Sequence, residues 1–405
     1  MRPESEIELA ELVADATGPM RIQGGGTRQI GAPVDGEVLS VAGLSGVTLY
    51  EPGALTLVAK AGTPVEEIEA LLAENDQMLG FEPMDHRRLL GTSGTPTIGG
   101  VIAGNVSGPR RLSSVGACRD SLLGVRFVDG AGRILKNGGR VMKNVTGYDL
   151  VKLMAGSRGT LGVLTEVSLK VLPRPEAVAT LSFEGLDPGL AVPLMSKALG
   201  SPYDVTGAYF GPYHYQAPRH LHLRLEGSSA SVKYRADALA GLLSGFGAAR
   251  IERDPDASQQ LWRDIRDMTH LAEMPFVTRS SIKPGAAPAF VESISQVWAA
   301  THYLDWGGGL IWTAASEEDL CKNAKNDRGD SSEDELTRGA KALIAAMHEA
   351  MSFEDGHTTL IKADERVRRE MPSFQPRHSV VASLELGLRQ KFDPRGILNP
   401  GLMGA

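Results

Sequence analysis

The chain has 405 residues, of which 42% are hydrophobic and 22% charged, and a formal net charge of −7. That length suits two or three domains of about 100–200 residues each. The acidic balance, with arginines clustered only as the pairs Arg87-Arg88, Arg110-Arg111 and Arg368-Arg369, argues against a nucleic-acid partner.

Ser5 with Glu8 three residues later is a capping-box pattern and predicts an opening helix with Leu9, Leu12 and Val13 on one face. The acidic start MRPESEIELAELV is unlike a secretory signal. No apolar run approaches the about 18 residues of a membrane span, so a cytoplasmic protein is expected. Residues 20–23 read as a short strand entering the turn Gly24-Gly25-Gly26-Thr27. A β-rich run at 55–60 precedes Thr63-Pro64. That pair predicts a helix with threonine as N-cap, proline at N1 and a stripe of Val65, Ile68, Leu71 and Leu72. Strands at 122–128 and 133–136 flank Asp129-Gly130-Ala131-Gly132, a hairpin signal. A short helix at 148–155 and a strand at 163–172 follow. The strand ends at Pro173-Arg174-Pro175, which predicts a domain boundary. The expected division is a first domain over 1–175, a second over 176–390 and a tail over 391–405.

In the second domain glycine thins out. Residues 219–226 alternate, with Leu221, Leu223 and Leu225 on one face. Helices are expected near 230–244, 256–270, 286–300, 333–350 and 380–391, covering an antiparallel sheet in an α+β architecture. The polar stretch 317–338 reads as a solvated loop. Two cysteines, Cys118 and Cys321, are too few for an iron–sulfur cluster or a disulfide framework and read as small core residues.

Residues 91–162 contain sixteen glycines among 72 positions, several-fold above the ~7% typical of proteins. Glycine has no side chain to bury. It lets backbone approach closely or supplies positive φ. Gly24-Gly25-Gly26-Thr27 presents successive N–H groups as a nest for phosphate oxygens. It is not GxGxxG, because Gln29 stands where the third glycine belongs, and no GxxxxGK[ST] occurs. In Thr97-Ile98-Gly99-Gly100 a threonine and a glycine pair open a short helix and place N–H donors on a diphosphate. Asn105, Ser107 and Gly108 follow it. A third element runs through Lys143-Asn144-Val145-Thr146-Gly147-Tyr148-Asp149-Leu150, with Asp149 as a local cap. It continues into Gly156, Gly159, Gly162 and Val163, where backbone groups can meet a heterocycle edge. The tail carries Phe392, Ile397 and Leu398, so it docks rather than frays. Together these elements predict two backbone walls around one extended, phosphate-bearing cofactor.

In this order and spacing the four elements resemble the FAD-linked oxidoreductases of the vanillyl-alcohol-oxidase type, with a PCMH-type FAD-binding domain, over essentially the whole chain. The resemblance implies a two-subdomain FAD-binding domain, an α+β cap domain with an antiparallel sheet, and a tail that returns to the flavin domain. SGPRR (107–111), GGRVMKNVTGYDL (138–150), DWGGGLIW (305–312) and GHTTL (356–360) are most similar to the FAD-binding E subunits of bacterial glycolate oxidases. That implies work beside a catalytic flavin subunit and an iron–sulfur subunit. Carried over by residue, it implies that Gly24, Gly25, Gly26, Thr27, Thr97, Ile98, Gly99 and Gly100 hold the FAD pyrophosphate. Asn105, Ser107 and Gly108 would lie near the flavin. Asp120, Gly156, Gly159, Gly162, Val163 and Leu164 would hold the adenosine side and the flavin edge, and Asn399 would approach the ring from the tail. The first glycine loop has no histidine for covalent attachment, so the FAD is expected to be non-covalent.

Oxidising a 2-hydroxy acid needs a base or metal for the hydroxyl proton, a cation for the carboxylate and a hydride acceptor. Catalytic members of the family carry an HxGDGNxH-type segment in the cap. The nearest match here is Glu354-Asp355-Gly356-His357, with no second histidine nearby. His357 and Arg279 are the candidate base and carboxylate partner. His220 and His222 read as a satisfied pair rather than metal ligands, since no third ligand is evident, and no metal is expected. Trp306 and Trp312 read as core or subunit-contact residues. The expected function is the FAD-binding subunit of a glycolate oxidase complex, oxidising glycolate to glyoxylate and passing electrons to an iron–sulfur partner. Any membrane association would run through partner subunits. The alternatives are a stand-alone FAD-dependent D-2-hydroxy-acid dehydrogenase and a scaffold subunit that no longer holds FAD.

Overall fold

The computed structural model describes residues 1–140, 147–214, 218–324, 334–351 and 356–404. Ser5 Oγ accepts from the Glu8 N–H at 3.1 Å and starts the helix Glu6–Asp15. That helix buries Leu9, Ala10 and Val13 against Met20, Leu39, Val128, Val163 and Leu398. Strand Met20–Gln23 runs parallel to Glu37–Ser40. The tail extends this pair: the Met20 N–H donates to Ile397 O at 2.7 Å, and the Asn399 N–H donates to Met20 O at 3.0 Å.

A five-stranded antiparallel sheet follows, in the order Val47–Glu51, Thr56–Lys60, Val163–Lys170, Leu122–Val128, Ile134–Gly138. The buried Asp129 carboxylate turns its hairpin by accepting from the Ala131 N–H at 3.0 Å and the Arg133 N–H at 2.9 Å. Thr63 does not cap the next helix. Its hydroxyl accepts from the Gly46 N–H at 3.0 Å and donates to Lys60 O at 2.7 Å, and the helix Val65–Ala73 starts from Pro64.

Met1–Arg174 and Pro376–Ala405 form one compact unit, and Pro175–Gln375 forms a second. Helix Ser379–Phe392, expected within 176–390, therefore groups with the first unit. Its far end is tied there by the Gly130 N–H donating to Phe392 O at 2.8 Å and by the Phe392 ring lying 6.1 Å from Phe127. The helix buries none of its own residues.

In the second unit an eight-stranded sheet runs Arg250–Glu252, Ala177–Glu184, His220–Gly227, Val205–Tyr213, Thr301–Asp305, Leu310–Ala315, Phe276–Ser281, His357–Lys362. Its recorded ladders are antiparallel. Leu221, Leu223 and Leu225 are fully buried. Helices Ser229–Leu242 and Pro255–Asp267 pack on strand Ala177–Glu184. Helix Ala287–Val297 packs on both Pro188–Leu199 and Glu335–Ala350. Part of the expected 317–338 loop is the helix Glu317–Ala324. Ser316 Oγ accepts from the Asp319 N–H at 3.1 Å, and three acidic residues in the first turn complement the helix dipole. Residues 325–333 lie outside the described residues.

Buried histidines make the second unit acid-sensitive. His302 is fully buried, with Nδ1 2.9 Å from Thr313 Oγ1 and Nε2 without a partner among the described residues. Burial, helped by His214, pushes its pKa down to about 3. Burial likewise holds His222 and His270 at about 4. An unfolded histidine titrates near ~6.5. Between these values the unfolded chain binds more protons, so stability is complete above about pH 6.5 and falls as pH drops toward 4. His302→Gln is expected to flatten that fall, read as melting temperature against pH; an unchanged slope would contradict it.

Candidate functional site

The glycine segments converge within the first unit. A Cβ on Gly25 would overlap the Thr95 carbonyl oxygen and sit 2.5 Å from its carbon. One on Gly94 would overlap Gly25 O, and one on Gly24 would overlap Thr97 Oγ1. Thr92 Oγ1 donates to Thr27 O at 3.1 Å. Loop 24–27 therefore lies backbone on backbone against 92–97. Gly26 adopts φ +72°, and the nearest atom to a Cβ there is Gln23 Nε2 at 3.8 Å. The N–H groups of Gly25, Gly26 and Thr27 donate to no protein acceptor among the described residues.

The short helix expected after Thr97 is Ile98–Ala103, but two of its expected phosphate donors are engaged elsewhere. Thr97 caps it, accepting from the Gly100 N–H at 3.4 Å. The Ile98 N–H donates to Thr63 O at 3.0 Å and the Gly99 N–H to Ala61 O at 2.8 Å, so these two donors are engaged by the protein and do not face a phosphate. Gly99 is required because a Cβ would come 2.6 Å from Ala61 Cβ. A Cβ on Gly100 would meet Thr97 Oγ1 at 3.3 Å and Arg28 Nη1 at 3.5 Å.

The same helix receives the third segment. The Gly156 N–H donates to Ile102 O at 3.1 Å and the Arg158 N–H to Ala103 O at 2.9 Å. Gly156 and Gly159 have φ +95° and +75°, and a Cβ on Gly159 would stand 2.9 Å from Asn399 Nδ2. Asn399 is buried and holds both sides: Oδ1 accepts from the Ile22 N–H at 2.7 Å, and Nδ2 donates to Arg158 O at 2.8 Å. Its amide is a clamp between chain segments rather than a group extended toward a ring. Several other expected ligands are likewise engaged. Asn105 Oδ1 accepts from the Arg119 N–H at 3.0 Å, Ser107 Oγ from the Cys118 N–H at 2.8 Å, and Asp120 from the Ala117 N–H at 2.8 Å. The Gly108 N–H donates to Phe81 O at 2.9 Å. Gly162 abuts the Phe127 ring, and Val163 and Leu164 pair with Val128 and Phe127 in the core. Lys143, Asn144, Val145 and Thr146 lie outside the described residues. Asp149 is the cap expected, accepting from the Lys152 N–H at 3.0 Å.

Arg28, which follows the glycine turn directly, was not among the residues the sequence pattern selected. Its Nε donates to His86 Nδ1 at 3.1 Å, and its Nη2 is buried with no partner among the described residues. Burial lowers its pKa to about 10. An unpaired cationic donor between glycine turns, beside three free backbone donors, fits an anion such as a dinucleotide phosphate.

In the second unit Arg279 pairs with Thr359, and Ser281 with His357, on adjacent strands. Arg279 and His357 therefore sit two positions apart on one face of the sheet. The Arg279 guanidinium lies 6.0 Å from the Trp312 ring centroid, and Trp312 is buried. Glu354 and Asp355 lie outside the described residues. His222 Nδ1 is 2.9 Å from Ser182 Oγ, and its ring stacks on Tyr209. Among the described residues no three potential ligands gather around a metal. Tyr209, His270 and Tyr303 complete an aromatic cluster on the same sheet, with His270 and Tyr303 rings 4.2 Å apart. Its members come from separate elements, and no local spacing announced it.

Residues 1–138 match the FAD binding domain family. Over 406 aligned residues the chain is 32% identical to "Glycolate oxidase subunit GlcE" of Escherichia coli, covering 98% of this chain and 96% of that protein. It is 35% identical over 187 residues to rat mitochondrial D-2-hydroxyglutarate dehydrogenase, covering 44% of this chain and 33% of that one. Among solved structures, 4-ethylphenol oxidase from Gulosibacter chungangensis superposes with a TM-score of 0.71 at 13% identity, covering 100% of this chain and 88% of that one. An alkyldihydroxyacetonephosphate synthase superposes at 0.67 with 18% identity, covering 99% and 76%. These two likenesses concern the fold. The chain belongs to the FAD-linked oxidoreductase family of the glycolate oxidase subunit GlcE, and its cofactor is FAD.

Proposed function

We propose that the chain is the FAD-binding subunit of a 2-hydroxy-acid oxidase of the glycolate type. Glycolate would lose two electrons and two protons to become glyoxylate, with electrons leaving through an iron–sulfur partner. Whole-length similarity to GlcE supports the subunit assignment. The observation that carries the cofactor site is the set of free donors at Gly25, Gly26 and Thr27, closed by segment 92–97. Bound FAD supplies a two-electron acceptor at its flavin ring. The residues of loop 24–27 would hold its diphosphate by backbone donation, and helix Ile98–Ala103 and segment 156–162 would form the wall behind it. No covalent link is expected. Acid precipitation should release all the flavin into the supernatant, and flavin retained in the pellet would contradict that.

The second unit would supply Arg279 for a carboxylate and His357 to take a hydroxyl proton. Their common sheet face favours a second reading, a stand-alone D-2-hydroxy-acid dehydrogenase. The two readings separate in one experiment, anaerobic addition of glycolate and D-lactate to the purified yellow chain. The leading reading expects no bleaching until partner subunits are added. Bleaching of the chain alone supports the second reading, and a folded chain that takes up no FAD defeats both.

The exposed helix Ser379–Phe392 supports work beside another subunit. Val380, Leu384 and Leu388 recur on one face at 62%, 65% and 40% exposure. Replacing Leu384 and Leu388 by lysine is expected to abolish co-purification with partner subunits while FAD content stays at the wild-type level. Undiminished co-purification would remove this face from the interface. No helix among the described residues is long and apolar enough to cross a membrane. We place the chain in the cytoplasm, with any membrane contact made through its partners.

A further inference from the structure

We propose that Arg28 is the cation that anchors the FAD diphosphate, an assignment that rests on the flavin-binding reading above. Arg28 stands next to Thr27 in the chain, so its backbone belongs to the same turn as the three free donors. Its side chain runs beneath the glycine face of helix Ile98–Ala103. Arg28 Nη1 lies 3.5 Å from the place of a Gly100 Cβ, and its Cδ lies 3.7 Å from that of Gly104. A Cβ at either position would touch the Arg28 side chain at ordinary van der Waals distance, so the two glycines leave space beside it.

Among the described residues no anion hydrogen-bonds this cation. Its one hydrogen bond among the described residues is to the His86 imidazole, at Nδ1, 3.1 Å away. Asp85, the nearby carboxylate that favours its charge, carries Arg87 at 2.7 Å. The thiol of Cys118 is kept protonated by burial. Nη2 is buried and makes no hydrogen bond among the described residues. A buried guanidinium donor without a partner is costly and persists where a ligand completes it. A diphosphate spread over the turn would take the backbone N–H groups and the guanidinium together, as charge-assisted hydrogen bonds.

The test is binding by the purified, flavin-stripped chain of three probes: FAD, ADP, which keeps the diphosphate without the flavin, and riboflavin, which has no phosphate. Arg28→Gln is expected to weaken FAD and ADP by a common factor, on the order of ten- to a hundredfold, and to leave riboflavin unchanged. Arg28→Lys should recover part of the loss as a point charge. Without ligand, Arg28→Gln should melt at or above the wild-type temperature, because it removes an unpaired buried charge, while the stabilisation given by FAD shrinks. Equal FAD and ADP affinity in wild type and Arg28→Gln would overturn the assignment, as would a riboflavin loss matching that of FAD or a lower melting temperature without ligand. FAD binding by the wild type with an indifferent Arg28→Gln overturns Arg28 alone. A wild-type chain that binds no FAD overturns the flavin-binding reading and the Arg28 assignment with it.

Discussion

Gly25→Ala is expected to cost the first unit more stability than any other single methyl added to loop 24–27. The new Cβ would fall on the Thr95 carbonyl oxygen and lie 3.1 Å from Thr95 N. Both are backbone atoms, so no side chain can swing away to make room. The contact is reciprocal, since a Cβ on Gly94 would overlap Gly25 O. Relief requires moving segment 92–97 away from loop 24–27. Overpacking in a tight core costs about 1–3 kcal/mol and occasionally more, and rigid backbone on both sides puts Gly25→Ala at or above the top of that range. Gly26→Ala is the matched control. Gly26 has open space around it, and its φ of +72° alone would cost about 1–2 kcal/mol. Urea unfolding of the two variants should rank Gly25→Ala well below Gly26→Ala. Equal losses would mean that the two segments are not closed on each other. FAD retention should fall with Gly25→Ala because the cradle opens, not because a methyl meets the phosphate.

Asn399→Leu is the second large effect. The asparagine amide satisfies the Ile22 N–H and the Arg158 carbonyl at 2.7 and 2.8 Å, and the side chain is buried. Leucine is similar in size but leaves both backbone groups unpaired. Each buried orphan costs about 1–3 kcal/mol. Asn399 also sits at φ +45°, a left-handed conformation that asparagine tolerates better than leucine. A combined loss of about 3–5 kcal/mol is expected, with the Ile22 amide exchanging far faster in hydrogen-exchange measurements. A loss under about 1 kcal/mol, with Ile22 still protected, would mean that the tail docks by its apolar side chains alone. Those side chains, Ile397 and Leu398, are buried with the first helix and define the competing contribution.

The two results bear on what a sequence can disclose. Ser5 and Glu8 announced the first helix because capping is local. The leucine alternation at 221–225 announced a strand because one face of a sheet is buried. The glycine-rich turns disclosed that something approaches the backbone closely, but not what. At Gly25 and Gly99 it is the protein's own chain, Thr95 and Ala61, which pattern alone could not separate from a cofactor. Ile98 and Gly99 were assigned to phosphate for the same reason, and their donors are taken by a turn formed earlier in the chain. The helix Glu317–Ala324 was legible in Ser316 and three acidic residues, but the polar residues after it outweighed that signal. Arg28 carried no local signal beyond following a glycine turn, because an arginine is ordinarily solvated. Its significance lies in a missing partner, which only three dimensions reveal. Arg279 and His357 are far apart in sequence, and strand pairing alone puts them on one face.

Determining the crystal structure of the chain with FAD tests the central claim most directly. The diphosphate should lie about 3 Å from the N–H groups of Gly25, Gly26 and Thr27, with segment 92–97 closed against the loop. An FAD whose diphosphate lies elsewhere, with those three donors facing water, would contradict the account.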